Sequence, residues 1–331
     1  MADSGIDFVI IWVDGGDRQW LEEKNRWSPD EKKFNINNVR YRDWNTLHYW
    51  FRSVEAYAPW VRKIHFVTCG QVPQWLNREH PKLHLVSHRD YMPGEYLPTF
   101  SANPIELNLW RIEGLSERFV FFNDDTFLTA PMTEDDFFHN GLPRCCAVLN
   151  PPTANIHGIG PIIMNDLGVI AEHFDFMTQF KKSWKKWLTP AYGTKLLRTF
   201  LLLPWRRYVG FLDLHLPLPL LKSTMEEVWQ AEGELLDKVS RNRFRSDSDL
   251  NQWVMNYWQI AKGTFYPMPT GVGRMFDVSR DMDRVTQAIR NRSMKMLCAN
   301  DSEKVTDFES LRRQLTEAFD AVLPEKSSFE R

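Results

Sequence analysis

The segment Phe119-Val120-Phe121-Phe122-Asn123-Asp124-Asp125 decides how this chain is read. Four apolar residues between Arg118 and Asn123 suit a strand buried on both faces, and the acidic pair then falls at its carboxyl end, where open α/β sheets place their ligand crevice. Adjacent carboxylates in a cleft can hold a divalent ion, or one of them can take a proton from a hydroxyl. Asn-Asp-Asp is also ordinary turn chemistry, and Thr126-Phe127-Leu128 resumes apolar character at once, so the rest of the chain has to decide.

Upstream, Phe8-Val9-Ile10-Ile11-Trp12-Val13 is a β-branched, apolar run that stops at Asp14-Gly15-Gly16-Asp17 and reads as the first strand of the same sheet. Asp43 is placed to cap a helix with Leu47, Trp50, Phe51, Val54 and Tyr57 on one face, ended by Pro59. Strands are predicted at Ile64 to Thr68 and Leu83 to Val86, and a helix from Asn103-Pro104 feeds the Phe119 strand. Alternating strands and helices over the first 130 or so residues predict a layered α/β domain.

Beyond residue 150 the pattern turns helical. Ser223-Thr-Met-Glu226 has the form of a capping box, Asp247 or Ser248 is placed to open a helix carrying Leu250, Trp253, Val254 and Tyr257, and Thr306-Asp-Phe-Glu309 opens a last one. The expected organisation is an α/β nucleotide-sugar-binding core over residues 1–150 and a helical part over 151–331 that completes the active site. No repeat, low-complexity tract or flexible linker interrupts it.

Composition excludes several classes. A net charge of −2 over 331 residues is not that of a nucleic-acid binder. The four cysteines show no CxxC spacing, which argues for reduced, structural thiols. The amino terminus lacks a signal-peptide pattern and no run approaches the roughly 20 apolar residues of a membrane span, so a soluble or peripheral cytoplasmic protein is expected. Residues 176–212 contain no Asp or Glu, while Lys181, Lys182, Lys185, Lys186, Lys195, Arg198, Arg206 and Arg207 interleave with Trp and Leu. Two readings fit: an in-plane segment at the inner face of the cell membrane, or a helical hairpin packed on the core with a basic outer face.

Other polar groups stand where turns would expose them: Arg40-Tyr41-Arg42-Asp43, His215 ahead of a stiff Pro-containing segment, Arg241, Arg243 and Arg245, and Asn300-Asp301. Guanidinium forks for oxygens, a carboxylate or imidazole for a proton, and acidic or amide groups for a metal form the inventory that phosphate chemistry needs. At this point the chain resembles the Stealth family of sugar-phosphate transferases, whose sequence blocks occur in order: Ile6 to Asp14 with Asp17; Arg40 through Arg52-Ser-Val-Glu55, Leu97-Pro-Thr-Phe-Ser101 and Ile105-Glu106 to Asn123-Asp-Asp125; His215 with Arg245-Ser-Asp-Ser-Asp249; and Leu297-Cys-Ala-Asn-Asp301 with the Pro324 to Glu330 segment. Asp14 stands where related sequences often carry Asn.

The resemblance implies a glycosyltransferase-A-like, Rossmann-like sheet with a mainly helical C-terminal half. It implies transfer of a hexose-1-phosphate from a nucleotide sugar, with a UDP-sugar expected, to a hydroxyl of a glycan or lipid-linked glycan in capsular or exopolysaccharide synthesis, with Mg²⁺ as cofactor. Carried over, Asp125, His215 and Arg245 are the catalytic group; Trp12, Asp14, Asp17, Arg40, Arg42 and Asn123 lie toward the nucleotide sugar; Asp124 and Asp301 are the metal candidates; and Asn300 completes the centre. A conventional glycosyltransferase that releases a nucleoside diphosphate, and a noncatalytic glycan-binding protein, are the two alternatives.

Overall fold

The structure is a computed structural model that describes residues 5–28, 41–154 and 158–331. The strands are β1 (Ile6–Ile11), β2 (Ile64–Thr68), β3 (Leu83–Ser87), β4 (Arg118–Phe122), β5 (Thr126–Leu128), β6 (Phe138–His139), β7 (Leu142–Cys145), β8 (Leu218–Leu221), β9 (Tyr266–Pro267), β10 (Gly273–Asp277) and β11 (Met296–Asn300). The helices are α1 (Arg18–Trp27), α2 (Leu47–Tyr57), α3 (His88–Tyr91), α4 (Ala102–Leu107), α5 (Gly160–His173), α6 (Phe176–Trp187), α7 (Leu196–Leu202), α8 (Lys222–Ser240), α9 (Trp253–Lys262), α10 (Val278–Asn291) and α11 (Phe308–Asp320). The fold is α/β, with a helix-rich second half.

The main sheet runs β3-β2-β1-β4-β8; its first four strands are parallel and β8 joins β4 antiparallel. Period-two alternation explains why the Phe119 run has no polar residue. Phe119 and Phe121 enter one core with α5, α6, α8 and α9, while Val120 and Phe122 enter the other with α2, α10 and α11. Residues from both halves of the sequence build each core: β8 pairs with β4, and β11 pairs with β5 in a second sheet, β10-β11-β5.

Three helix starts differ from the sequence expectation, each because a side chain is drawn elsewhere. Asp43 accepts from the Asn45 N–H in a local turn, and α2 begins after Thr46 without a side-chain cap. The Ser223–Glu226 box does not form, because β8 runs directly into α8 and Glu117 takes both the N–H and the hydroxyl of Ser223. The helix expected from Asp247 or Ser248 begins at Trp253, since the Asp249 carboxylate turns inward.

At the amino end of the sheet, Asp7 is fully buried and accepts from Arg62, from His65 at 2.9 Å and from the Ser116 N–H at 2.8 Å. His65 in turn meets His84 through their Nδ1 atoms at 2.9 Å, which ties β1, β2 and β3 together. Burial raises the Asp7 pKa, but the bonds from His65 and Arg62 outweigh it and hold the carboxyl below its ordinary value. A carboxyl lowered on folding contributes stability above its unfolded pKa and loses it as pH falls through the folded one. Asp7→Ala should therefore cost about 3–5 kcal/mol at neutral pH by stranding Arg62 and His65, and should flatten the acid limb of the stability curve; urea titrations from pH 7 down to 3 would show both, and an unchanged midpoint would remove this network from the account.

Candidate active site

A cleft of about 1020 Å³ opens at the carboxyl ends of β1 and β4. Trp12, Arg42, Asn123, Asp124, Asp125, His215, Arg245, Asn300 and Asp301 all line it, drawn from six separate stretches of chain. The geometry follows from the sheets. The chain leaves β4, makes a turn closed by the Thr126 N–H on the Asn123 carbonyl at 3.1 Å, and enters β5, which pairs with β11 in the second sheet. Asn123 to Asp125 therefore occupy the junction between two sheets, and β11 delivers Asn300 and Asp301 beside them.

His215 arrives from the other side. β8 is antiparallel to β4, with Leu218 opposite Phe121, so the residues just before β8 lie next to those just after β4. His215 adopts φ 51°, a left-handed conformation uncommon for a residue with a side chain, and its Nε2 stands 4.0 Å from Asp125 Oδ2. Cys298 on β11, fully buried, donates its S–H to the same Oδ2 at 3.2 Å. Burial and the neighbouring Asp125 carboxylate hold that thiol protonated, well above its ordinary pKa. Asp125 Oδ1 is buried and has no hydrogen-bond partner. The carboxylate, imidazole and thiol lie within 4.8 Å of one another, close enough to share one cation.

Asp124 is reached by water through the mouth of the cleft yet is crowded by protein, and this crowding, with the Asp125 and Asp43 charges, pushes its pKa up to about 7. Asp301 is held by the Trp44 indole N–H at 3.0 Å, the Ser302 N–H at 2.7 Å and Arg42 at 3.6 Å. Burial nevertheless leaves its pKa raised. The Arg42 guanidinium also stacks on Phe308, 4.8 Å from the ring centre, and so is fixed in direction.

Arg245 sits on a loop built around the buried Asp249, whose carboxylate accepts from Asn103 at 2.8 Å, Asn242 at 2.7 Å and the Ser246 N–H at 3.0 Å. Phe244 stacks on Phe100 at 5.2 Å and the Phe100 N–H bonds the Arg243 carbonyl, pinning the loop to the cleft wall. Behind it Glu106 is buried, with pKa pushed up to about 7 by burial against the lowering influence of Arg245.

Two of the sequence candidates are engaged elsewhere. Asp14 accepts from the Gly16 N–H and its backbone is clamped by Gln71, while Asp17 caps α1 through the Trp20 N–H at 2.7 Å; neither lines the cleft. Gly15 between them is required by a close approach, since a Cβ there would lie 1.9 Å from the Tyr41 carbonyl oxygen. Arg40 lies outside the described residues. No site role for Glu106 or Trp44 is legible from the residues alone, and Cys298 reads there only as a structural thiol; its place two residues before Asn300 is the available signal.

Residues 40–145 match the family described as Stealth protein CR2, conserved region 2. Over nearly the whole length the chain is similar to the capsular polysaccharide phosphotransferase WcwK of Streptococcus pneumoniae, 38% identical with 98% of each chain covered. It is 42% identical to the receptor polysaccharide phosphotransferase WefC of Streptococcus gordonii, again over 98% of each chain. With the exopolysaccharide phosphotransferase cps2G of Lactiplantibacillus plantarum the identity is 36%, over 98% of this chain and 96% of that one. Among solved structures, the apo form of the WbbM bifunctional glycosyltransferase aligns with a TM-score of 0.40 at 12% identity, over 96% of this chain and 52% of that one.

The buried S–H donor has a direct chemical consequence. At pH 8 the half-buried Cys69, its pKa raised by burial to about 11, has roughly one thiol in a thousand ionised and should be alkylated first, slowly. Cys145, Cys146 and Cys298 should label only on unfolding; mass mapping after a timed iodoacetamide pulse reads this, and prompt labelling of Cys298 in the folded chain would contradict its assignment as the hydrogen-bond donor to Asp125.

Proposed function

The chain belongs to the Stealth family of polysaccharide phosphotransferases, and from that premise we propose its reaction in full. A hexose-1-phosphate passes from a nucleotide sugar, a UDP-sugar, to a hydroxyl of a glycan or lipid-linked glycan. The acceptor oxygen forms a bond to the sugar-bearing phosphorus, the pyrophosphate P–O bond breaks, and a nucleoside monophosphate leaves while the hydroxyl proton goes to the protein. The product is a phosphodiester.

One observation carries this reading: the Asp125–His215 pair, 4.0 Å apart at the end of β4, shares a cleft with Arg42 and Arg245. An acceptor hydroxyl has a pKa far above neutrality, so a group within reach must take its proton as attack proceeds. Asp125 fills that role, while Cys298 donates to its Oδ2 and His215 orients or shares the proton. Arg245 and Arg42 meet the charge on the phosphate oxygens, where planar forks suit the geometry. Trp12, beside the end of β1, and Asn123 line the donor side.

Asp124 and Asp301, which line the cleft together with Asn300, would hold Mg²⁺, which supplies positive charge against the phosphate oxygens. The fit rests on the donor set: burial first, and then the neighbouring Asp125 and Asp43 charges, raise Asp124 to about 7, and a hard divalent cation bound by oxygens would relieve the repulsion among these carboxylates. A glycan acceptor carried on lipid would be met at the inner face of the cell membrane, and four free cysteines, three of them buried, are compatible with a reducing compartment.

A panel of nucleotide sugars with a glycan acceptor and Mg²⁺ should release a nucleoside monophosphate and yield a new phosphodiester resonance in the phosphorus spectrum. Release of a nucleoside diphosphate without that resonance would make the protein a glycosyltransferase. Asp125→Asn should lower turnover about 10²- to 10⁴-fold at normal folded yield, the range for losing a general base; near-normal turnover would remove Asp125 from that role.

A further inference from the structure

Residues 176–212 hold two anchored helices, α6 and α7, joined by a 3-10 segment at Pro190–Lys195, and the two face different surroundings. α6 packs inward, burying Phe176, Phe180 and Trp187. α7 is fixed by Thr199, which is buried with its hydroxyl accepting from the Leu149 N–H at 3.1 Å, and by the half-buried Leu196 and Leu202. The opposite side of the same helix is apolar and open to water. Leu197 is 62% exposed, Phe200 51% and Leu201 65%, and Trp205 in the following turn is 65% exposed. Their spacing at i, i+3, i+4 and i+8 sets them along one stripe.

The residues around the stripe are basic. Lys195 and Arg198 lie on α7 or at its start, Arg206 and Arg207 follow Trp205, and Lys181, Lys182 and Lys185 are exposed on α6 beside Trp184. No carboxylate occurs between Phe176 and Leu212. Four large apolar side chains held outward by a buried anchor are a feature that soluble surfaces rarely keep without a partner. A second copy of the chain would bring like charges face to face across such a contact, which disfavours it. A bilayer answers both features: anionic head groups meet Lys and Arg, and the stripe enters the acyl boundary. No helix among the described residues is long and apolar enough to cross a membrane, so the contact lies in the plane.

We propose that α7 and the Leu203–Trp205 turn form a membrane-docking surface for anionic phospholipid. The proposal deepens the reading of an enzyme that meets a lipid-carried acceptor, but its readout needs no turnover, so failure of the chemistry and failure of the docking are separable. Flotation of the full chain with vesicles of phosphatidylglycerol and phosphatidylcholine should carry it to the lipid fraction, with much less on phosphatidylcholine alone. Leu197→Ser/Leu201→Ser/Trp205→Ser should abolish flotation. Lys195→Glu/Arg206→Glu/Arg207→Glu should weaken it at least fivefold for each charge removed, the worth of about one basic residue near an anionic surface, and added salt should weaken the native chain likewise. Release of nucleotide with a soluble acceptor should be unchanged in both variants, since none of these positions lines the cleft. Equal flotation of the native and triple-Ser chains would overturn the proposal, as would a native dimer in lipid-free sedimentation that the triple-Ser variant converts to monomer.

Discussion

The three residues Asn123 to Asp125 are all the chain has to pass from one sheet to another, and the rest of the site depends on that constraint. β4 is locked between β1 and β8 in the main sheet, while β5 is locked against β11 in the second, so the turn between them cannot drift. Backbone bonds close it at both ends: Thr126 N–H to the Asn123 carbonyl, and Ala299 N–H to the Asp125 carbonyl at 2.9 Å. A carboxylate on such a junction is aimed by two hydrogen-bonded ladders, which gives it the rigidity that a catalytic group requires.

Electrostatics at the cleft show two opposing demands. Asp43, Asp124, Asp125 and Asp301 concentrate negative charge, and burial raises the pKa of both Asp124 and Asp301. Arg42 stands near enough to answer it and Arg245 lines the same cleft, yet no short bidentate pair with these carboxylates is formed: Arg42 reaches Asp301 at only 3.6 Å. Guanidinium groups left short of full pairing keep donors available for phosphate oxygens. Beneath Arg245 the wall is itself acidic. Glu106 and Asp249, the two acids that feel the Arg245 charge, both have pKa values raised by burial, and the amides of Asn103 and Asn242 donate to Asp249. Buried polar groups of this kind cost stability and rigidify the loop that carries the arginine.

How far the residues could be read in advance varied with the range of the interactions involved. β2 and β4 were legible because a buried strand has to be apolar over a short run. The cleft position of Asp125 followed from the same logic, since strand ends open the crevice in an α/β sheet. Asp14 and Asp17 show where that logic stops: they too follow a strand, but Asp-Gly-Gly-Asp satisfies its own backbone, one carboxylate closing a turn and the other capping α1. Cys298 was invisible as a donor because its pairing with Asp125 depends on the register that sets Cys298 opposite Thr126. Likewise the basic segment could not be divided by composition alone into a buried helix and an outward one.

The amino-acid sequence by itself determined the α/β class, the strand that ends in the acidic pair and the family of the chain, because short-range patterning and ordered motifs carry that information. Only the tertiary structure decided which polar groups meet. His215 and Asp125 lie ninety residues apart and are joined by an antiparallel edge strand, and Asn300 and Asp301 arrive through a second sheet. Those pairings rest on strand register and on the sharing of two hydrophobic cores between the halves of the chain, which are properties of the packed whole rather than of any local segment.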